Sequence, residues 1–313
     1  MRAAAAALLG LPDGSPLAFP HRVQAWLDAG WLKPGQVLID FGAQEFYSSV
    51  DEVHREIGAF LSEHGLSGDR VRAVLGSSLP QVRTIYEALG IRYYSIDIDG
   101  AHGSAFFDLN SEAPPAHWYD TFDFVNNEGT IEHLANPLNG FQVAHELAKV
   151  GGVIRHSFPL IGWREHGFFY ATTKFYAHLV GDNGYELLKA QALLIESEPF
   201  DDGFFRQVIN LKGEPVAPPA VTNIWGELVY RKVRDQPFVI PVDHLVGPNA
   251  TTARQRLIKN YRRFARGRVR RSPAFWRIGP AIEPADNHYL GCWIFAVLGR
   301  LAGTHGRKTD GRR

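Results

Sequence analysis

Between Gln36 and about Ile195, short β-branched and aromatic runs alternate with longer stretches whose apolar residues recur at helical spacing. That alternation predicts parallel strands joined by helices. Val37-Leu38-Ile39-Asp40-Phe41-Gly42 reads as a buried strand entering a turn. From Gln81 to Leu89 the apolar positions Val82, Ile85, Tyr86 and Leu89 predict a helix, with Gly90 in the position a helix C-cap favours. Tyr93–Asp97, Ser104–Leu109 and Phe122–Asn126 read as the next three strands. Leu138 to Lys149 carries Phe141, Val143, Ala144, Leu147 and Ala148 on one helical face, and Gly151-Gly152 is expected to end that helix before a fifth strand at Val153–Ser157. Ala192–Ile195, Gln207–Asn210 and Gly226–Lys232 read as further strands forming an antiparallel edge. The pattern therefore predicts an α/β open sheet, mostly parallel with an antiparallel edge and with helices on both faces.

Composition narrows this little, but charge distribution does. The 313 residues carry 33 basic and 33 acidic side chains, so net charge points to no class of partner. The imbalance is local: Thr251 to Ile278 holds ten Lys and Arg residues and no acid, interleaved with Tyr261, Phe264, Phe275 and Trp276. Over residues 254–277 this suits an anionic surface, either a membrane or a nucleic acid; a solvated charged helix is the plain alternative. The single cysteine, Cys292, allows no internal disulfide and no thiolate zinc cluster, which fits a reducing, cytoplasmic setting. Ala3–Leu9 is too short an apolar run for a signal peptide and is closed by Pro12-Asp13-Gly14; no segment reaches the roughly 20 apolar residues that cross a bilayer, so a membrane role would be peripheral.

In an open parallel sheet, ligands gather beyond the carboxyl ends of the strands. At the first end, Gly42 allows backbone to approach a ligand and Gln44 adds a side-chain amide. Asp97 closes the second strand, where a carboxylate can accept from both hydroxyls of a ribose. Asp108 and Leu109 close the third, where an acid or its neighbouring amides can hold an adenine edge. Singly, each is as well explained as a turn glycine or a capping acid; in this order after successive strands, they describe an adenosine pocket.

The run Tyr119-Asp120-Thr121-Phe122-Asp123-Phe124-Val125-Asn126-Asn127-Glu128-Gly129-Thr130-Ile131-Glu132-His133-Leu134, continuing to Leu147-Ala148-Lys149-Val150-Gly151-Gly152, resembles the signature of class I S-adenosylmethionine-dependent methyltransferases. There a strand of the "YDxV" kind leads to "EH", a helix follows, and "LKPGG" opens the next strand. His166-Gly167-Phe168-Phe169-Tyr170 resembles the substrate side of such enzymes. The resemblance implies a Rossmann-like domain over residues 36–243, preceded by a helical lead-in at 1–35 and followed by a basic extension at 244–313. It implies S-adenosyl-L-methionine as cofactor, held by Asp40, Gly42, Gln44, Asp97, Asp108, Leu109, Asn126 and Asn127. His133, Glu132 and His166 become the candidate catalytic groups and Tyr170 a candidate acceptor contact. Two departures stand out. The usual acid-x-Gly-x-Gly-x-Gly turn keeps one glycine, Gly42, and the distance from that turn to Asp97 implies an insertion within Ser48–Gly76.

Methyl transfer to a small-molecule or saccharide acceptor is the reading these residues favour. An RNA methyltransferase using the basic segment and a non-catalytic protein retaining the fold are the rivals; no Asn-Pro-Pro-Tyr-like motif follows the fourth strand, which counts against amino groups of nucleobases. Neither an H-E-x-x-H spacing nor a cysteine cluster is present, so no metal is expected from the sequence.

Overall fold

The computed structural model describes residues 19–163, 166–199, 210–212, 214–217 and 220–243, all within the first of the chain's two units, Met1–Pro248. Gln207–Ile209 and the basic stretch 254–277 lie outside the described residues. Seven strands form one sheet: β1 (Val37–Phe41), β2 (Arg92–Asp97), β3 (Ala105–Phe106), β4 (Phe122–Glu128), β5 (Ala148–Ile161), β6 (Glu186–Pro199) and β7 (Ala220–Arg231). Their order is β3-β2-β1-β4-β5-β7-β6. The first five pair in parallel, while β7 runs antiparallel between β5 and β6. The fold is Rossmann-like, with its antiparallel pairings at one edge as the sequence implied.

Helices cover both faces. Six α-helices are described: α1 (Phe19–Asp28), α2 (Val50–Glu63), α3 (Gly68–Leu75), α4 (Val82–Ala88), α5 (Pro137–Leu147) and α6 (Thr173–Asp182). On one face, Phe19, Val23 and Trp26 of α1 are buried at the i, i+4, i+7 spacing of a single stripe, and they share a core with Ile57 of α2, Ile85 of α4, and Leu38, Phe124 and Val153 of the sheet. The lead-in helix is thus part of the main core. Residues 50–75, within the span expected to be an insertion, form α2 and α3. The Ser49 hydroxyl starts α2 by accepting from the Glu52 amide. On the opposite face Phe141 of α5 packs edge-on against His156, and Tyr176 of α6 stacks on Phe158. None of the described helices is long and apolar enough to cross a membrane.

Two local expectations are corrected. The third strand is two residues long, and Asp108 and Leu109 lie in the loop beyond it. Gly151-Gly152 does not end a helix: α5 stops at Leu147, β5 begins at Ala148, and the glycines sit inside β5. There the register against β4 jumps from Phe122↔Ala148 to Phe124↔Val153, so the chain bulges. A Cβ on Gly152 would lie 2.9 Å from the carbonyl oxygens of Lys149 and Phe122. The pair is needed for a tight bulge rather than for a cap.

Candidate functional site

Strand order reverses between β1 and β4, and the crevice of an open sheet forms at such a reversal. The β1 turn opens it with Gly42 at φ +81°, a conformation that favours glycine, and a Cβ there would stand 2.9 Å from the Thr130 hydroxyl beyond β4. Thr130 in turn donates to the Phe41 carbonyl at 2.7 Å, tying the ends of β1 and β4 together. From β2, Asp97 reaches the same turn: one carboxylate oxygen accepts from the Ala43 amide at 2.8 Å and the other from the Ile98 amide at 2.7 Å. Gln44 folds its side-chain amide back toward the Phe41 and Gly42 carbonyls. Beside this turn is a cavity of about 180 Å³ lined by residues that include Gln44, Gln81, Arg83, Tyr93 and His102.

Asp108 stands at the third strand end, but its carboxylate serves its own loop, accepting from the Asn110 amide, the Asn110 side chain and the Ser111 hydroxyl. Partial burial raises its pKa, and these hydrogen bonds, Ser111 first, outweigh that and hold the carboxyl below its usual value. Leu109 is buried, and its carbonyl accepts from Asn139 of α5.

Three residues expected at the cofactor turn into the interior. Asp40 is 1% exposed, with its two oxygens accepting from the Tyr93 hydroxyl at 2.8 Å and the Asn126 side chain at 2.7 Å. Burial raises its pKa to about 7 despite those bonds. Asn126 passes the network to Arg155, whose guanidinium, 1% exposed, also binds Glu128 and Glu227. Arg22 of α1 lies 3.7 Å from Glu128, and Lys189 of β6 pairs with Glu227. Glu128 and Glu227 are desolvated, yet the Arg155 charge prevails and lowers both, Glu227 to about 2. Asn127, also buried, uses its side-chain oxygen to cap the turn after β4 by accepting from the Thr130 and Ile131 amides. Sequence reading missed this network. Arg155 inside the run Val153–Ser157 was the available signal, since a charge in a central strand requires partners.

The turn that Asn127 caps carries Glu132 and His133, and a distant loop brings His166 to them. The backbone carbonyl of Glu132 accepts from the amides of Phe168 and Phe169 at 2.8 and 3.1 Å. A Cβ on Gly167 would come within 2.9 Å of that carbonyl, so this close approach requires glycine. The Tyr170 hydroxyl accepts from the His166 and Gly167 amides, 3.1 Å each, and donates to the Trp163 carbonyl, so it holds the loop. The result sets His166 Nε2 3.6 Å from a Glu132 carboxylate oxygen and the His133 and His166 rings 5.1 Å apart. His166 lies edge-on to Trp163 and Trp225. Glu132 is buried and, among the described residues, neither carboxylate oxygen has a hydrogen-bond partner. His133 is exposed; burial of part of its ring lowers its pKa, the pull of Glu132 opposes this, and His166 adds a smaller lowering. Phe168 and Phe169 project into solvent next to this cluster. The three residues singled out in the sequence for chemistry thus come together, while Trp163 and Trp225, which carried no sequence signal, flank the His166 ring.

No family model matches the chain, and no curated protein matches it. Among solved structures, the chain is similar to a provisionally named methyltransferase from Bacillus halodurans, at 8% identity over 67% of this chain and 98% of that one, with a TM-score of 0.40. It is also similar to a SAM-dependent methyltransferase from Aquifex aeolicus, at 15% identity over 72% and 97% of the two chains, TM-score 0.32. A third is the 1,6-didemethyltoxoflavin-N1-methyltransferase of Burkholderia thailandensis, solved with 1,6-didemethyltoxoflavin and S-adenosylhomocysteine bound, at 13% identity over 69% and 78%, TM-score 0.36. At such identities and scores, these chains transfer no detail of site or substrate to this one.

Proposed function

We propose that this chain, built on the strand order of the class I methyltransferase fold, binds S-adenosyl-L-methionine and methylates a hydroxyl of a small-molecule or saccharide acceptor. The observation that carries the reading is the meeting of Asp97 and the Gly42 turn at the β1/β4 reversal, 3.9 Å from the Asp97 carboxylate to a Cβ built on Gly42. Each Asp97 oxygen uses one acceptor position on a backbone amide and keeps another free, as a pair of ribose hydroxyls requires. Gly42 leaves room for backbone to approach a ligand, and Gln44 borders the adjoining cavity. Asp40, Asn126 and Asn127 act from behind, holding the strand ends in place.

S-adenosyl-L-methionine supplies the methyl group together with its own leaving group. The protein's task is alignment of the acceptor and removal of one proton. With the cofactor bound, the acceptor oxygen would bond to the methyl carbon as the sulfur–methyl bond breaks, and the hydroxyl proton would leave on the side of Glu132, His133 and His166. The exposed Phe168 and Phe169 beside that cluster offer an apolar lip suited to a ring or the face of a sugar. Tyr170, with its hydroxyl committed to the loop, positions His166.

Calorimetry with S-adenosylhomocysteine tests the cofactor half. Saturable one-to-one binding is expected, and Asp97→Ala should weaken it at least tenfold while far-ultraviolet circular dichroism stays unchanged. If the wild-type chain binds neither this product nor the methylated cofactor at millimolar concentration, the reading is wrong.

A further inference from the structure

We infer that Glu132, His133 and His166 form a binding site for a divalent first-row metal ion such as Zn²⁺ or Mn²⁺. One carboxylate oxygen and one nitrogen from each imidazole lie within 4.8 Å of one another. Two imidazoles and one carboxylate are the protein donors of many catalytic zinc centres and of open facial-triad iron sites. Metal–ligand bonds of about 2.0–2.1 Å put tetrahedral ligands about 3.3 Å apart, so binding requires the side chains to close by up to roughly 1.5 Å. His133, being exposed, is free to make that movement.

The independent observation is Glu132 itself. A carboxylate removed from water is stabilised by hydrogen bonds or a cation. Here both oxygens are buried without a hydrogen-bond partner among the described residues, and the nearest described group able to carry positive charge is His166 Nε2 at 3.6 Å. An ion between these three side chains would satisfy the carboxylate and use the imidazoles as neutral ligands. The surrounding contacts fix the donors: the Phe168 and Phe169 amides hold the Glu132 backbone, the Tyr170 hydroxyl holds the loop, and Trp163 and Trp225 flank the His166 ring. Three protein ligands leave coordination positions on the exposed side of His133.

The role of such an ion rests on the methyl-transfer reading, whereas its binding does not. In that role, an acceptor hydroxyl coordinates the metal, its pKa falls, its proton leaves to solvent on the His133 side, and the bound alkoxide is the nucleophile.

The test uses the full chain, stripped with a chelator, dialysed, and titrated with ZnCl₂ by calorimetry and with MnCl₂ by electron paramagnetic resonance. One ion per chain is expected with a dissociation constant in the micromolar range or tighter. Glu132→Gln, His166→Ala and His133→Ala should each weaken binding tenfold or more. His133→Ala is the decisive variant because it alters an exposed residue and leaves the core intact. Absence of uptake by the wild-type chain, or uptake unchanged in His133→Ala, overturns the site. S-adenosylhomocysteine binding is measured on the same samples: metal uptake without it keeps the site and removes the methyl-transfer reading, and the reverse result removes only the site.

Discussion

Asp40 sits where a carboxylate beside the cofactor turn was expected, yet what this residue controls is stability. With its pKa raised from 3.8 to about 7, the folded protein binds a proton that the unfolded chain releases near pH 4. The sign follows: between those values the folded state holds more protons, so stability falls as pH rises through them. Asp40→Asn keeps a neutral amide between Tyr93 and Asn126 and abolishes the titration. The difference between the variant's unfolding free energy and that of the wild type, measured in urea, should grow in the variant's favour as pH rises from about 4 to 7 and level off above that. At pH 8.5 the variant should be the more stable by about 1–4 kcal/mol, the upper figure being the full shift at 1.36 kcal/mol per unit. A variant less stable than wild type at pH 8.5 would show that the carboxylate is bound in its charged form.

Elements show most clearly what could be read from the sequence. The central strands were legible because buried β-branched runs bounded by turn residues have few other interpretations, and β1, β2 and β4 fall within two residues of the expected spans. The Glu132-His133 pair was legible as a motif and His166 as part of a second one. Their meeting was not, because it depends on a loop pressing against a turn at Gly167 and on a tyrosine hydroxyl folding back seven residues. The bulge in β5 was misread for a related reason: consecutive glycines mark both helix ends and bulges, and only pairing with β4 distinguishes them. Substitution separates the roles of the two glycines. Gly151 has φ +86° and open space, so Gly151→Ala costs backbone strain alone, about 1–2 kcal/mol. Gly152→Ala forces a methyl against two fixed carbonyl oxygens and should cost more, about 2–4 kcal/mol. Chemical unfolding of both variants checks the order, and equal losses would mean that β5 shifts to relieve the contact.

At the scale of the whole molecule, titrating groups on opposite faces of the sheet together set how stability changes with pH. His145 of α5 is held neutral: its Nε2 bonds the Gln236 carbonyl, its Nδ1 meets the Tyr185 hydroxyl, and burial, then the nearby Lys232, lower its pKa to about 4. His156 in β5, fully buried with one nitrogen on the Tyr230 hydroxyl, falls to about 3 through burial and then the Arg155 charge. For both, the unfolded chain takes up a proton near pH 6.5 that the folded protein refuses, so stability climbs as pH rises from about 4 to 6.5. Asp40 works against them over nearly the same interval, but with one proton against two, leaving a net rise of about 1.4 kcal/mol per pH unit. Near pH 7 the unfolded histidines and the folded Asp40 both finish losing their protons. Unfolding free energy should therefore climb to about pH 7, where all three titrations are complete, and stay level toward pH 8. His145→Gln and His156→Gln should each flatten the acid limb by about 1.4 kcal/mol per pH unit, and Asp40→Asn should steepen it by as much, with the level stretch above pH 7 unchanged in slope. Urea melts of the four proteins from pH 4.5 to 8.5 separate the limbs. A wild-type curve that keeps rising through pH 8 would place the controlling charges elsewhere in the chain.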